Sequence, residues 1–146
     1  MMLEKMENIY IFDFFKKNSK FNCVMTLEGK STELGVAYFA TRLGINVSLP
    51  FGGDLRYDQI WDINGKLLKV QVKYPKEFEH GFVLVGKTNA GKYTSEEIDG
   101  VATIYEDVLY YVPIENMTNN KKLYITKPEH NNVVEWAADY DIRRII

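Results

Sequence analysis

Cysteine and histidine are nearly missing from this 146-residue chain: Cys23 stands alone, and His80 and His130 are the two histidines. A lone cysteine excludes an internal disulfide, and one thiol with two imidazoles offers no structural zinc constellation. Cys23 is expected to be a buried small hydrophobe. Long apolar runs are missing as well. No stretch approaches the roughly 20 residues of a membrane span, and the N-terminus lacks the basic, apolar, small-residue order of a signal peptide. A cytoplasmic protein without membrane contact is therefore expected. A surplus of positive charge is also absent, since 18 Lys and Arg stand against 20 Asp and Glu. The sequence thus lacks the basic balance of many nucleic-acid-binding domains. A site that cuts nucleic acid must itself carry acids, however, and basic residues such as Arg56, Lys73, Lys76, Lys87 and Lys92 can gather on one surface while acids occupy another.

What is present is an ordinary globular composition, 46% hydrophobic and 26% charged, in a length that fits one domain with a real core. Leu3, Met6, Ile9, Phe12 and Phe15 recur at a spacing near three, which suits an amphipathic helix, although the run IYIFDFF suits a strand equally. A clearer helix starts at Ser31 or Thr32, places Glu33 in its first turn, runs Leu34, Ala37, Tyr38 and Leu43 along one side, and stops at Gly44. Strands are expected at 45–49, 82–85, 101–105 and 109–113, a small helix or turn at 95–98, loops at 116–120 and 126–132, and a C-terminal helix around 133–140. This order implies an α/β or α+β domain built on one mixed sheet, without internal repeats.

Between Pro50 and Pro75 lies the segment richest in chemistry. Asn64-Gly65 separates RYDQIWDI from KLLKVQVK, and both residues tolerate the positive φ that a two-residue hairpin turn requires. Counting outward from that turn sets Asp58 opposite Gln71, with Cβ atoms roughly 5 Å apart on one face. Alternation gives Lys69, Gln71 and Lys73 to that face, and Leu68, Val70 and Val72 to the other with Trp61. A bulge in either strand would break this register. Asp58, the Gln71 amide oxygen and the Val72 backbone carbonyl are the hard oxygen donors that Mg²⁺ prefers, and Lys73 stands where it can hold a water or offset charge on a phosphate. On periodicity alone, the same residues fit the solvated face of an amphipathic hairpin, the commoner arrangement. Glu33 likewise fits a plain role beside the helix dipole.

Two further patterns carry less. GKTNAGKY, Gly86 to Tyr93, has the glycines and lysine of a phosphate-binding loop but puts Tyr93 where Ser or Thr is required. It reads better as a turn whose lysines touch a phosphate backbone, or as a plain surface loop. Tyr93, Tyr105, Tyr110 and Tyr111 read as core or strand-forming choices and receive no function.

The stretch GKSTELGVAYFATRLGINVSLPFGGDLRYDQIWDINGKLLKVQVK resembles the core of the PD-(D/E)XK nuclease superfamily, in particular the branch containing the cyanobacterial group I intron homing endonuclease. The resemblance continues through YTSEEIDGVATIYEDVLYYVPIE and, more loosely, VVEWAADYDI, covering roughly residues 26 to 141. It implies a restriction-endonuclease-like core, a mixed β-sheet flanked by helices, over residues 26–146; residues 1–25 lie outside it as an N-terminal extension, expected to be helical from the spacing above. It also implies a Mg²⁺-dependent DNA endonuclease, with Mn²⁺ as a substitute ion, in which Glu33, Asp58, Gln71 and Lys73 form the cleavage site. Asp58, Gln71 and the Val72 carbonyl would hold the metal, and Arg56, Lys76, Lys87 and Lys92 would touch double-stranded DNA. Asp99 fits the pattern too, in a structural part. Most of the superfamily has Asp or Glu at position 71, whereas the homing-endonuclease branch resembles this chain in using Gln. One fewer negative charge implies weaker metal binding. Cutting both strands requires two sites, so a homo-oligomer, dimer or tetramer, is expected. The other reading is a non-catalytic DNA-binding or interaction module on the same fold.

Overall fold

The computed structural model describes residues 24–131 and 133–146, with side chains from Glu28 onward. The expected helix or strand over 3–17 and the burial of Cys23 lie outside the described residues, as does all of the 1–25 extension except the first two residues of helix α1. Helix α1 spans Val24–Arg42, so it begins about two turns before the expected start. Gly29 is accommodated inside it, with nothing near the position a Cβ would take. Glu33 therefore sits in mid-helix rather than in the first turn, and the dipole no longer accounts for it. The helix ends as a Schellman motif: Ile45 N–H donates to Ala40 O at 3.0 Å and Gly44 N–H to Thr41 O at 3.0 Å, with Gly44 at φ 85°.

The chain then forms β1 (Asn46–Ser48), β2 (Gln59–Ile63), β3 (Lys66–Val72), β4 (Lys76–Phe78), β5 (Gly81–Val85), β6 (Lys87–Thr88), β7 (Gly91–Lys92), β8 (Gly100–Tyr105), β9 (Val108–Pro113) and β10 (Asn120–Tyr124). The main sheet has the order β1-β2-β3-β8-β9, in which β3 and β8 run parallel and the other pairs antiparallel. This is the expected α/β architecture on a mixed sheet. Strand β5, expected as part of one mixed sheet, lies instead in a second sheet of the order β10-β5-β4.

The second sheet exists because the main sheet is apolar on both faces at β8 and β9. Val36 and Ala40 of α1 pack with Trp61, Val70, Val72, Ala102, Ile104 and Tyr111 on one face. On the other, Val101, Tyr110 and Val112 pack with Phe82, Leu84, Ile98 and Leu123. Strand β8 is accordingly buried throughout save Tyr105, the pattern of a strand covered from both sides. The expected C-terminal helix is not formed. Residues 133–136 run along β10, with Tyr124 N–H donating to Glu135 O at 2.9 Å, and 3₁₀ turns follow at Ala137–Tyr140 and Ile142–Arg144. Ala137 enters the core under the small sheet and Ile142 the core under the helix, two destinations that one straight helix would not reach.

Candidate functional site

The β2–β3 hairpin forms as its turn chemistry dictates. Asn64 and Gly65 adopt φ of 54° and 84°, and the ladder runs from Ile63↔Lys66 to Gln59↔Val70, so Asp58 faces the Gln71 end of β3 as counted from the sequence. Asp58 lies one residue beyond β2. Its N–H donates to Val70 O at 2.9 Å, and its carboxylate Oδ2 accepts from Val72 N–H at 2.8 Å. The side chain thus closes the ladder that the backbone leaves open. Beside it, Gln71 Nε2 donates to Val72 O at 3.2 Å, which brings the amide and the carbonyl of the expected donor set into contact.

Glu33 reaches the same place from α1. It pairs with Lys30, one turn earlier, at 3.0 Å, and that contact holds the Lys30 ammonium above its ordinary range. Asp58 feels Glu33, Lys30 and Lys73 together. Burial raises its carboxyl above the ordinary carboxylate range, the Val72 N–H pulls it down, Glu33 raises it, and Lys30 and Lys73 lower it. Helix, hairpin and strand end therefore converge on one half-buried carboxylate. Lys73 follows β3 directly, with its N–H donating to Ala102 O at 3.0 Å. Its Nζ lies 5.1 Å from the centroid of the Tyr93 ring, and the Arg56 guanidinium lies 4.7 Å from the same centroid.

The four expected DNA-contacting residues separate. Arg56 is engaged: it donates to Thr88 Oγ1 at 3.0 Å and pairs with Glu97 at 3.2 Å, besides covering Tyr93. Lys87 and Lys92 are exposed cross-strand partners on the β6–β7 hairpin that Arg56 anchors. Lys76 is exposed on β4 of the small sheet, and no described contact joins it to the others. Since GKTNAGKY folds into this miniature hairpin with no helix after it, it lacks the structural setting of a nucleotide-binding phosphate loop. Asp99 is structural. Its carboxylate accepts from Lys69 N–H at 2.7 Å, and its own N–H donates to Lys69 O at 2.8 Å, tying β3 to the start of β8.

Sequence reasoning missed Lys30, Gln59 and Tyr93. The three-residue spacing of Lys30 and Glu33 was a readable signal once both are on a helix. Gln59 breaks the apolar alternation of β2, where it is fully buried. Tyr93 gave no local sign.

The raised Asp58 carboxyl yields a stability test. The folded state binds this proton more tightly than the unfolded chain, so its contribution is complete below the ordinary carboxylate range and is lost as pH rises through the raised folded value. Asn at this position still accepts from Val72 N–H without the charge. Asp58→Asn is expected to be more stable than the parent at pH 7 by about 0.5–1 kcal/mol, allowing for solvent screening, with the difference closing near pH 3. Thermal melts of both proteins at the two pH values check this.

The donor types suit a hard divalent cation: one carboxylate, one amide and one backbone carbonyl, with Glu33 nearby. No group of three or more His, Cys, Asp or Glu gathers among the described residues, so any ion here relies on the neutral oxygens. The PD-(D/E)XK endonuclease family model matches residues 25–143. The solved structure of a bacterial homing endonuclease, I-Ssp6803I, matches with a TM-score of 0.65 and 23% identity, covering 83% of this chain and 88% of that one. At that identity the likeness speaks for the fold. No curated protein sequence matches the chain significantly.

Proposed function

Since the chain belongs to the PD-(D/E)XK endonuclease family, we propose that it is a divalent-metal-dependent endonuclease that hydrolyses phosphodiester bonds of double-stranded DNA at Glu33, Asp58, Gln71 and Lys73. The observation that carries this reading is the convergence on Asp58 of Glu33 and Lys30 from α1 and of Lys73 from the end of β3. A carboxylate raised by burial and by a neighbouring acid is short of positive charge, the condition that a bound cation relieves. Asp58, Gln71 and the Val72 carbonyl would hold Mg²⁺, or Mn²⁺ in its place. The ion would supply Lewis-acid polarisation of the phosphoryl group and a more acidic water.

The protein's own groups have distinct parts. Lys73, whose ammonium lies over the Tyr93 ring, offsets charge that builds on the phosphate or holds the attacking water. Glu33 orients that water or Lys73. Lys87 and Lys92 meet the DNA backbone as point charges on a short hairpin that Arg56 fixes in place. Cutting both strands calls for two copies of the site, hence a dimer or tetramer. Duplex DNA of varied sequence and structure, incubated with the protein and Mg²⁺, should be nicked or cut, and chelation should stop it.

Gln71 favours keeping a second reading in view, a DNA-binding module without turnover. An amide leaves the ion with less negative charge than an acid does. Gln71→Glu is therefore expected to lower the Mg²⁺ concentration for half-maximal activity roughly tenfold. Mg²⁺-indifferent DNA binding with no cleavage by either protein would support the module instead.

A further inference from the structure

Gln59 is the one fully buried amide on the core face of β2, beside Trp61, which is also fully buried. An amide in such a place is costly unless it is hydrogen-bonded, and a leucine would fill the space without that cost. Both ends of this amide are used. Nε2 donates to the backbone carbonyl of Glu33 at 2.6 Å, and Oε1 accepts from Trp61 Nε1 at 2.9 Å. The indole is braced in turn by Tyr111, whose ring centroid lies 5.6 Å away. The need of Trp61 for an acceptor explains the oxygen but not the nitrogen. Nε2 meets the carbonyl of Glu33 on α1, and the residue that carries Nε2 is the immediate neighbour of Asp58.

We infer that Gln59 is a positioning residue, which fixes the helix at Glu33 against β2 and so sets the separation of the Glu33 and Asp58 carboxylates; this rests on the proposed metal-dependent site. The path is short and stiff. Asp58 is pinned by Val70 and Val72, Gln59 follows it in the chain, and a single hydrogen bond then reaches Glu33. Neither Gln59 nor Trp61 faces the site itself. Gln59 acts through the backbone of a residue that does, as outer partners of metal ligands do.

The test compares Gln59→Leu, which removes both hydrogen bonds, with Gln59→Met, which keeps the length of the side chain, offers Trp61 only a weak sulfur acceptor and has no donor for Glu33. Leu109→Ala, in the same core but on β9, reports general loosening. Binding of Mn²⁺ is read by electron paramagnetic resonance at a temperature where every variant is folded, and crystal structures of both Gln59 variants are compared with the parent. Both Gln59 variants are expected to need at least about tenfold more Mn²⁺ for half-saturation, while Leu109→Ala lowers the melting temperature and leaves Mn²⁺ binding unchanged. Gln59 variants that melt earlier but bind Mn²⁺ like the parent would overturn the inference. If the parent takes up no Mn²⁺ that Asp58→Asn removes, the metal reading of the site is what has failed. The crystal structures then decide on Gln59: Glu33 displaced from Asp58 by about 1 Å or more supports its positioning role, and an unchanged separation refutes it.

Discussion

Lys73→Ala is expected to slow DNA cleavage by about 100- to 1000-fold while leaving DNA affinity within a few-fold of the parent. The ammonium is the positive charge placed at the end of β3, next to Gln71 and Val72 and within the electrostatic reach of Asp58. Its backbone is fixed by the Ala102 carbonyl at 3.0 Å, and its tip is kept beside Tyr93, so little reorganisation is needed to present it to a phosphate. Arg56 cannot stand in for it. That guanidinium lies over the same ring but is committed to Thr88 and Glu97. Lys30, the other nearby cation, is paired with Glu33. Affinity should survive, because one charge among many phosphate contacts contributes little, whereas Lys30 and Arg56 are already engaged and leave Lys73 to share with the metal ion the charge developing in the transition state. Single-turnover cleavage and binding in Ca²⁺, which commonly supports binding without turnover, separate the two effects. Asp58→Asn should be at least as inactive, since it removes the carboxylate around which the site is arranged. Cleavage by both variants at the parent rate would mean that the site is elsewhere.

Gly81→Ala is expected to destabilise the fold by about 3 kcal/mol, a drop of about 10 °C in Tm for a chain of this size. Gly81 opens β5, the central strand of the small sheet, paired with Tyr124 of β10 on one side and Phe78 of β4 on the other. A Cβ there would lie 2.0 Å from the Leu123 carbonyl oxygen, a backbone atom that can move only if β10 moves. Displacing β10 opens the core of Phe82, Leu84, Ile98 and Leu123 and disturbs Tyr93, which belongs to it. Gly53→Ala is the matched control. Nothing stands within 4 Å of its Cβ position, and the change should stay within about 0.5 kcal/mol. Urea melts of both variants measure the difference.

The contrast between the hairpin and its surroundings explains what the sequence made legible. Asn64-Gly65 fixes β2 and β3 through two residues' backbone preferences, so the register and the position of Asp58 could be counted from the turn. Glu33 was identifiable as a helix residue, but the start of the helix was not, because Gly29 reads as a boundary while the fold leaves it inside α1. The small sheet depends on contacts between strands far apart in the chain. Lys121 is buried on β10 because Glu135 pairs with it at 2.6 Å, an arrangement that no local pattern announces. The face carrying Lys69, Gln71 and Lys73 accordingly looked like a solvated strand face. It is half-buried instead, with the Lys69 ammonium donating to the Glu96 carbonyl and Lys73 beside Tyr93. The near-neutral net charge likewise concealed that Arg56, Lys87 and Lys92 meet around one short hairpin.

Asp58, Gln71 and the Val72 carbonyl are proposed to hold the divalent ion that supports DNA cleavage. Anomalous diffraction at the manganese edge, from crystals grown with Mn²⁺ and uncut duplex DNA, locates that ion. The expected result is a peak coordinated by the Asp58 carboxylate, the Gln71 Oε1 and the Val72 carbonyl oxygen, with a DNA phosphate beside Lys73. A manganese peak seated away from Asp58, or none at a concentration that supports cleavage in solution, would contradict it.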